Sequence, residues 1–447
     1  MIFFGCLADQ RTVTSFFIFD GRVAQLVEQL TLNQRVQGSS PCASTISLMI
    51  SAEIIIIGGG AAGMFAAAVC AEAAPDLKIL ILEKGPRPLA KVRISGGKRC
   101  NLTHTCPDIR TFIQNYPRGG RELIGPFHRF GPVETMEWFE AHGVPLEPLA
   151  DGCVFPRSDT SEDIINALLY TVGRGNVEIR THAEVSRIGK NESGFELEFA
   201  DGSQAACSKL LAATGGGIFI EGLGHTVEPC VPSLFTFNTS DKEFTALAGI
   251  VVEQVCVSAS RLKENGALLI THSGVSGPAV LRLSSFGARI LAEKKYSFEM
   301  KINWLPAQSE EQIFQTLERF RAASPNKRVG TWSPVGLSSR LWKLLVARAG
   351  VDGTREWGTC PLKSLRRIAA RVSSFPLPVT GKNRHRDEFV TCGGIRRNEV
   401  DFRTMESRLC PGLYFAGEVL DIDGVTGGFN LQAAWTTGCV AARSLLQ

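Results

Sequence analysis

The sequence has no closely paired cysteines, no large excess of one charge and no export signal. Its 13 cysteines are scattered over 447 residues without a C-x-x-C pair, which argues against a metal site and predicts reduced thiols in a cytoplasmic protein. A formal net charge of +4 is close to neutral for this length. The whole-chain charge therefore predicts neither a nucleic-acid partner nor an anionic membrane.

A long hydrophobic run that would mark a membrane span is also missing. The uncharged stretch from Ile54 to Ala71 is 18 residues long, which nominally meets the length of a span. However, it contains three consecutive glycines and changes from β-branched to Ala-rich sequence, so it predicts a strand, a turn and a helix. With 44% hydrophobic and 21% charged residues, the chain is typical of a globular protein with two or three domains.

The first 48 residues do not resemble the start of the same protein. Asp9 and Arg11 interrupt the short apolar stretch, and no basic segment precedes it as in a signal peptide. Val23-Ala-Gln-Leu-Val-Glu-Gln29 can be back-translated into a tRNA D-arm, and Gly38-Ser-Ser-Pro41 into a T-arm. We interpret residues 1–48 as a translated tRNA gene, expected to be disordered, with Met49 as the true start. The alternative is a genuine, poorly ordered extension.

The most informative stretch runs from Glu53 to Gly63. Four isoleucines predict a buried strand, and Gly58, Gly60 and Gly63 have the spacing G-x-G-x-x-G before an Ala-rich helix. These glycines permit a tight turn, close approach of a pyrophosphate and close helix–strand packing, and the helix N-terminus attracts phosphate. A second strand ends at Glu83, 20 residues after Gly63, where a carboxylate can accept hydrogen bonds from ribose. The pattern predicts a dinucleotide site, because a packing turn alone does not explain the acid.

The rest of the chain suggests an insertion into a nucleotide-binding domain. A basic glycine loop is predicted over Lys91 to Asn101, and a strand beginning at Lys209 runs into Thr214-Gly215-Gly216. Between about Pro229 and Phe375 the pattern is first strand-like and then helical, with a capping box formed by Ser309 and Gln312. The basic residues of these helices favour a solvated face over RNA binding. Strands return from Glu388 onward and are expected to complete the first sheet.

A second glycine-rich turn lies near the C-terminus. A strand over Gly412 to Glu418 delivers a carboxylate. Gly427, Gly428, Asn430 and Leu431 lie in a loop that leads into a helix predicted from Ala433 to Leu446. The N–H groups of such a turn can stabilise the negative charge of a reduced flavin. The alternative is a strand–turn–helix that only packs. Lys98 and Arg99, beside Gly96-Gly97, are expected to offset diphosphate charge, with a simple loop role as the alternative.

Several longer motifs resemble one known family. They are GGGAAG at Gly58–Gly63, ISGGKRCN at Ile94–Asn101, ATGG at Ala213–Gly216, THSGVSGP at Thr271–Pro278, TCGGI at Thr391–Ile395, EVDFRTMES at Glu399–Ser407 and PGLYFAGEVLDIDGVTGGFNLQAAWTTG at Pro411–Gly438. From Ile54 onward the chain is similar to the BaiN-type family of NAD(P)/FAD-dependent oxidoreductases, some of which are called aminoacetone oxidases. Lys98, His104 and Phe429 stand where this family more often has Gly, Asn and Tyr, which leaves FAD binding intact but can alter the space beside the flavin.

The resemblance implies an α/β fold: a Rossmann-like FAD-binding domain with an inserted β-barrel and a small helical subdomain. The implied boundaries are 49–228 for the first part of the FAD domain, 229–305 for the barrel, 306–375 for the helices, and 376–447 for completion of the barrel and the FAD domain. The motifs and the resemblance together predict these FAD contacts: Gly58, Gly60, Ala61, Ala62, Gly63, Glu83, Lys84, Gly97, Arg99, Cys100, Asn101, Val185, Thr214, Gly215, Gly417, Glu418, Gly427, Gly428, Asn430 and Leu431.

The catalytic residue is harder to identify from the sequence. His272 lies in a glycine-rich turn of the insert, where it can donate a proton beside the flavin or can instead shape the turn. Cys100 is a second candidate, but without a C-x-x-C partner it does not indicate disulfide chemistry. The resemblance implies NAD(P)H use, although no second strand-linked G-x-G-x-x-G occurs.

The predicted function is an FAD-dependent oxidoreductase that transfers hydride or electrons between a small-molecule substrate and an acceptor. No nucleic-acid or membrane partner and no metal are expected, and the oligomeric state is left open. The alternative is a flavin-bound regulatory or RNA-associated protein without turnover.

Overall fold

The computed structural model describes residues 49–106, 108–216, 223–382 and 390–447. Residues 1–48 lie outside this range, so their interpretation as a translated tRNA gene stays a prediction. The strands and helices of the described residues follow one another in this order: β1 (Ile50–Ile57), α1 (Ala61–Ala73), β2 (Ile79–Leu82), α2 (Ala90–Lys98), β3 (Thr103–His104), α3 (Ile109–Phe112), α4 (Ile124–Arg129), α5 (Pro132–Ala141), β4 (Leu146–Pro148), β5 (Cys153–Pro156), α6 (Glu162–Val172), β6 (Val177–Arg180), β7 (Val185–Lys190), β8 (Phe195–Phe199), β9 (Gln204–Ala212), β10 (Val227–Ser233), β11 (Phe237–Thr239), α7 (Lys242–Thr245), β12 (Val251–Ala259), β13 (Leu262–Ile270), β14 (Gly274–Ser276), α8 (Pro278–Phe286), α9 (Ala288–Glu293), β15 (Phe298–Asn303), α10 (Glu310–Ala323), α11 (Ser339–Arg348), α12 (Leu362–Ser373), β16 (Phe375–Lys382), β17 (Val390–Ile395), β18 (Val400–Asp401), β19 (Glu406–Ser407), β20 (Leu413–Phe415) and α13 (Phe429–Leu445).

A nine-stranded sheet organises the nucleotide-binding part of the fold. Its order is β18-β19-β20-β9-β1-β2-β6, and β8 pairs with both β9 and β7. The five strands β20, β9, β1, β2 and β6 run parallel. This is the Rossmann-like arrangement expected from the sequence, and the C-terminal β20 does complete the sheet begun by β1.

Two helices of small residues cover the centre of this sheet. Helix α1 is buried along most of its length, and its alanines allow α13 to pack closely against it. A Cβ atom on Gly438 of α13 would lie only 2.6 Å from the Ala62 carbonyl oxygen. The two helices therefore approach each other at backbone distance, where the start of α1 meets the middle of α13.

The insert forms a closed barrel of six strands, in the order β11-β14-β13-β12-β15-β16. Helices α10, α11 and α12 stand between β15 and β16 in the chain and share a second hydrophobic core with the barrel. The chain enters the insert along β10 and leaves it along β17, and these two strands pair antiparallel. The barrel and the helices thus have the expected order, whereas the predicted domain boundaries stay a prediction.

A buried polar network joins the insert to the nucleotide-binding part. Asp423 is 1% exposed, and its carboxylate receives hydrogen bonds from the Arg118 guanidinium and from Ser233 Oγ, the latter at 2.8 Å. Arg118 also donates to the Ser285 carbonyl oxygen at 2.8 Å. Ser233 ends β10 and Ser285 lies in α8, so this ion pair fixes the insert against the loop that precedes α13.

Local sequence signals account for several element boundaries. Ser309 and Gln312 form the predicted capping box at the start of α10, with Ser309 Oγ accepting from Gln312 N at 3.2 Å and Gln312 Oε1 accepting from Ser309 N at 2.8 Å.

The prediction of a loop over Lys91 to Asn101 was partly wrong, because the stretch begins as α2. The backbone leaves helical geometry from Ser95 to Lys98. Gly96, Gly97 and Lys98 all have positive φ angles, which the two glycines adopt without strain.

Among the described residues, no helix is both long and apolar enough to cross a bilayer. The same residues bring no cluster of three His, Cys, Asp or Glu side chains together in the manner of a metal site.

Candidate functional site

A cavity of about 810 Å³ opens at one edge of the large sheet. Its floor is formed where four neighbouring parallel strands end, namely β2, β1, β9 and β20. The residues that follow these strands line it: Glu83 and Lys84, Gly58 to Gly60, Ala213 to Gly215, and Ala416 to Glu418. In parallel α/β sheets, ligands bind at the carboxyl ends of the strands. The topology therefore brings four sequence-distant segments to one ligand site.

The three glycines of the fingerprint have different surroundings. Gly58 has a φ of +106°, and a Cβ atom there would lie 2.3 Å from the Ala213 carbonyl oxygen. A Cβ atom on Gly63 would lie 2.0 Å from the Gly58 carbonyl oxygen. Gly60 instead faces open space, with no described atom within 4 Å of its Cβ position. Gly58 and Gly63 hence serve the fold, while Gly60 leaves room for a ligand, as the fingerprint requires.

Two helix N-termini meet in the cavity, and neither is capped by a side chain. Helix α1 follows Gly60 and α13 follows Gly428, and neither N-cap residue has a side chain that accepts a backbone N–H. Ala61 and Ala62 at the start of α1, and Asn430 and Leu431 at the start of α13, line the cavity. The first N–H groups of a helix need acceptors and attract negative charge. A ligand with two electron-rich regions fits this pair of helix starts.

Glu83 has a structural role in addition to the predicted one. Its carboxylate accepts from Gly59 N at 2.9 Å and from Gly85 N at 2.7 Å, so it ties the glycine loop to the end of β2. Carboxylate oxygens can accept further hydrogen bonds. Glu83 lines the cavity and can still accept from a ribose hydroxyl while holding the loop.

Helix α2 supplies a wall that the sequence analysis did not predict. Ala90, Lys91, Val92 and Ile94 of this helix line the cavity. Lys91 Nζ lies 2.9 Å from Glu418 Oε2. The cation beside the cavity is thus Lys91, together with the predicted Lys84. The high density of basic residues in this segment did signal a cation beside the ligand. However, Lys98 and Arg99 were predicted for that role instead of Lys91.

One buried group at the cavity still needs a hydrogen-bond partner. Thr214 Oγ1 is inaccessible to solvent and has no partner among the described residues, and Thr214 lines the cavity. Buried hydroxyls are normally paired. Together with the open space at Gly60 and Gly97, this orphaned hydroxyl fits a bound dinucleotide cofactor, so the residues present are compatible with FAD.

Fourteen of the predicted FAD contacts line this cavity, and six do not. Gly63, Arg99, Cys100, Asn101, Gly427 and Gly428 are absent from its lining. Arg99 instead lies 4.3 Å over the Phe155 ring and 3.3 Å from Asp159 Oδ1. The assignment of these residues as FAD contacts stays a prediction.

Asn101 and Gly428 hold the start of α13 in place. With its amide oriented to satisfy both groups, Asn101 donates to the Thr103 carbonyl oxygen at 3.1 Å and accepts from Gly428 N at 3.2 Å. A Cβ atom on Gly428 would lie 2.4 Å from the same carbonyl oxygen. These residues therefore position the helix N-terminus that faces the cavity.

The two catalytic candidates lie outside the cavity lining. Cys100 is fully buried, and this burial raises the pKa of its thiol to about 12, which keeps it protonated at neutral pH. His272 is exposed in the turn between β13 and β14. That turn is closed by Thr271 and Gly274, with Thr271 N donating to the Gly274 carbonyl oxygen at 2.8 Å and Gly274 N to Thr271 Oγ1 at 3.0 Å. The described hydrogen bonds that close this turn are therefore those of Thr271 and Gly274.

Comparisons with known proteins identify the family of this chain. The family described as HI0933-like protein Rossmann domain matches residues 52–444. The chain is 31% identical to a ribosomal RNA dihydrouridine synthase of Escherichia coli over 88% of this chain and 98% of that protein. It is also 31% identical to a 3-dehydro-bile acid delta(4,6)-reductase of Clostridium scindens, over 87% of this chain and 98% of that protein.

A solved structure of the Escherichia coli quinol fumarate reductase subunit FrdA has 15% identity and a TM-score of 0.47, covering 89% of this chain and 70% of that one. The resemblance to the BaiN-type enzymes that the motifs indicated is confirmed by the family match and the bile acid reductase. This chain belongs to the HI0933-like family of FAD-binding, Rossmann-type oxidoreductases.

Proposed function

We propose that this protein is an FAD-dependent reductase of a carbon–carbon double bond conjugated to a carbonyl group. The observation that carries the proposal is the cavity at four strand ends, which two uncapped helix N-termini enter. The names of the two relatives describe related chemistry. Dihydrouridine is a uridine whose C5=C6 bond, conjugated to the C4 carbonyl, has been saturated, and the bile acid name describes reduction of ring double bonds near an oxidised C3.

The reaction adds a hydride equivalent and a proton across the double bond. Bound FAD, once reduced, supplies the hydride equivalent. The β-carbon gains a C–H bond as the π bond breaks, and the α-carbon takes a proton from an acid. A reduced nicotinamide dinucleotide is the proposed source of the two electrons, in agreement with the family resemblance.

The chain's own residues hold and insulate the cofactor. The start of α1 and the open space at Gly60 suit the diphosphate, and the start of α13 suits the ring region that becomes electron-rich. Helix α2 and Leu431 supply apolar cover, which keeps water from the reacting atoms.

For the substrate we propose a uracil base within RNA, which the strongly basic segment between β15 and β16 supports. A small molecule with a conjugated ketone, without any nucleic acid, is the second candidate. The bile acid reductase supports this second candidate, because it is 31% identical to this chain, as the ribosomal RNA enzyme is.

Anaerobic flavin spectroscopy tests the proposal. NADH or NADPH should bleach the absorbance near about 450 nm, and an acceptable substrate should restore it without oxygen. Restoration by uridine-containing RNA supports the first candidate, and restoration by a 3-oxo-4,6-diene steroid alone supports the second. If neither restores the colour while the flavin stays bound, the protein has no such reductase activity, and a regulatory role replaces the proposal.

His272 remains the proposed proton donor, and one substitution tests it. Since Thr271 and Gly274 close the turn, His272→Gln should leave the melting temperature and FAD content unchanged. If the ring donates the proton, substrate reduction should slow by about 10²- to 10⁴-fold while flavin reduction by NAD(P)H stays normal. A substrate rate within a few-fold of the wild type would remove His272 from the mechanism.

A further inference from the structure

The charge of this chain is concentrated in one segment. Residues 306–375, called the basic helical segment below, contain 12 Lys and Arg but only 5 Asp and Glu, a net charge of +7. The whole chain has a net charge of +4, so all other residues together are slightly acidic. This segment comprises α10, α11, α12 and their connections.

Few of these cations are neutralised within the fold. Among the described residues, Arg348 pairs with Asp241 at 2.8 Å and Arg366 with Glu311 at 2.8 Å. The other ten have no carboxylate within 4.0 Å in that part of the chain, and most of them are exposed. Their charge is therefore available to a partner.

Helix α12 displays this charge on one face. Lys363, Arg367 and Arg371 follow the spacing i, i+4, i+8 and are exposed or half-buried. Arg366 lies on the same helix but is paired with Glu311. The opposite face, which includes Leu365, Ile368 and Val372, is buried in the second hydrophobic core. The helix cannot insert that apolar face into a bilayer, as a membrane-bound amphipathic helix must. Its charge is thus better suited to a polyanion in solution.

An exposed aromatic side chain accompanies the charge. Trp332 is 53% exposed, and Lys327 Nζ lies 4.2 Å from the centre of its ring. Unpaired RNA bases stack on such aromatic rings while cations contact the phosphates. Charge and a stacking surface thus occur in the same segment.

We infer that the basic helical segment is an RNA-docking surface that holds the substrate RNA while one of its uracils reaches the flavin site. This inference rests on the proposed RNA substrate. It separates two tasks: the cavity performs the reduction, and the segment supplies affinity through phosphate contacts and stacking.

Charge reversal with a matched control tests the inference. The test variant is Arg328→Glu/Lys343→Glu/Lys363→Glu, which reverses three exposed cations of the segment. The control is Arg174→Glu/Arg261→Glu/Lys294→Glu, which reverses three exposed cations elsewhere. Both holoproteins change net charge equally, so a difference between them reports position rather than total charge.

Binding is measured with a fluorescent single-stranded 20-nucleotide RNA rich in uridine, over a range of salt concentrations. The test variant should bind at least tenfold more weakly than the control, and its plot of log affinity against log salt should be shallower by about 2, as expected for about three lost phosphate contacts. Trp332→Ala should weaken binding without changing that slope. Equal RNA affinities of the two triple variants would overturn the inference. It would also be overturned if the wild-type holoprotein bound vesicles containing phosphatidylserine in preference to the RNA.

Turnover separates failure of this inference from failure of the proposed function. Ribosomal RNA from cells that lack the gene is incubated with NADPH and each holoprotein, and dihydrouridine is measured by mass spectrometry. The test variant should show a raised KM with an unchanged kcat. If the wild type forms no dihydrouridine, the RNA substrate itself is wrong. If all three proteins form it with the same KM, the function stands and the docking surface is wrong.

Discussion

Gly60 and Gly63 lie one helical turn apart and have opposite surroundings. The Cβ position of Gly60 faces open space at the cavity, whereas that of Gly63 meets the Gly58 carbonyl oxygen at 2.0 Å. One glycine reserves space for a ligand, and the other permits a helix to pack on a strand.

This difference predicts separable effects of two substitutions. Gly60→Val should yield folded protein that has lost FAD, because the side chain fills the space needed by the diphosphate. Gly63→Val should lower the melting temperature even of the cofactor-free protein, because its side chain overlaps the backbone. Flavin content and thermal unfolding of both apoproteins measure this. A Gly60→Val protein that stays yellow at full stoichiometry contradicts the placement of the diphosphate.

Thiol reactivity gives a second prediction at the residue scale. Burial raises the pKa of Cys100 to about 12, whereas Cys230 is exposed. Iodoacetamide at pH 8 should therefore modify Cys230 much faster than Cys100, as read by peptide mass spectrometry. Rapid loss of the Cys100 thiol in the folded protein would show that it is accessible.

The same burial sets a direction for the pH dependence of stability. Cys70, Cys100 and Cys207 have folded pKa values raised to about 12 from the ordinary value of 9.0. In the unfolded chain these thiols release protons near pH 9, so the unfolded state binds fewer protons above that pH. The free energy of unfolding should accordingly fall as pH rises from about 9 to 12.

At the scale of elements, the start of α13 depends on Gly428. Its φ is +87°, and a Cβ atom would lie 2.4 Å from the Thr103 carbonyl oxygen. Gly428→Ala should displace the helix N-terminus from the cavity and make the flavin midpoint potential more negative, because its N–H groups no longer favour the reduced form.

Gly202→Ala is the matched control for this prediction. Gly202 has a similar φ of +82° but no described atom within 4 Å of its Cβ position. Its substitution should cost about 1 to 2 kcal/mol of stability from backbone strain alone and leave the potential unchanged. Equal potentials in both variants would show that the start of α13 does not act on the flavin.

Element identity was more predictable from the sequence than element function. The isoleucines of β1, the glycine spacing before α1 and the capping box of α10 are local signals, and each was confirmed. The role of α2 as a cavity wall was missed because Gly96 and Gly97 suggested a loop throughout. A short helix before two glycines has no local signature that distinguishes it from a basic turn.

At the scale of the whole molecule, the net charge averages over an uneven charge distribution. The near-neutral total of +4 predicted no nucleic-acid partner. In that total, the net charge of +7 on the basic helical segment is partly offset by the slightly acidic remainder of the chain. Sequence alone also could not show that four strand ends form one cavity, because that depends on strand order.

The ion pair between Arg118 and Asp423 gives a prediction at this scale. The Asp423 side chain is fully buried. Arg118→Leu should therefore leave the Asp423 carboxylate buried without a cationic partner and lower the free energy of unfolding by about 3 to 5 kcal/mol. Arg118→Leu/Asp423→Leu should recover part of this loss. As a control, Arg403→Leu breaks the pair of a largely exposed arginine with Asp401, and it should destabilise the protein much less than Arg118→Leu because water screens an exposed pair. Denaturant unfolding decides, and equal losses for Arg118 and Arg403 would show that the network does not join the two parts.

The antiparallel pairing of β10 and β17 has a consequence for how this architecture can change. Val231 and Cys392 are register partners, so the outgoing and returning chains lie side by side where they leave the nucleotide-binding part. Everything between them can be exchanged, enlarged or shortened without moving the ends apart. The two-stranded stem thus fixes where the insert joins the nucleotide-binding part, whatever the length of the chain between the two strands.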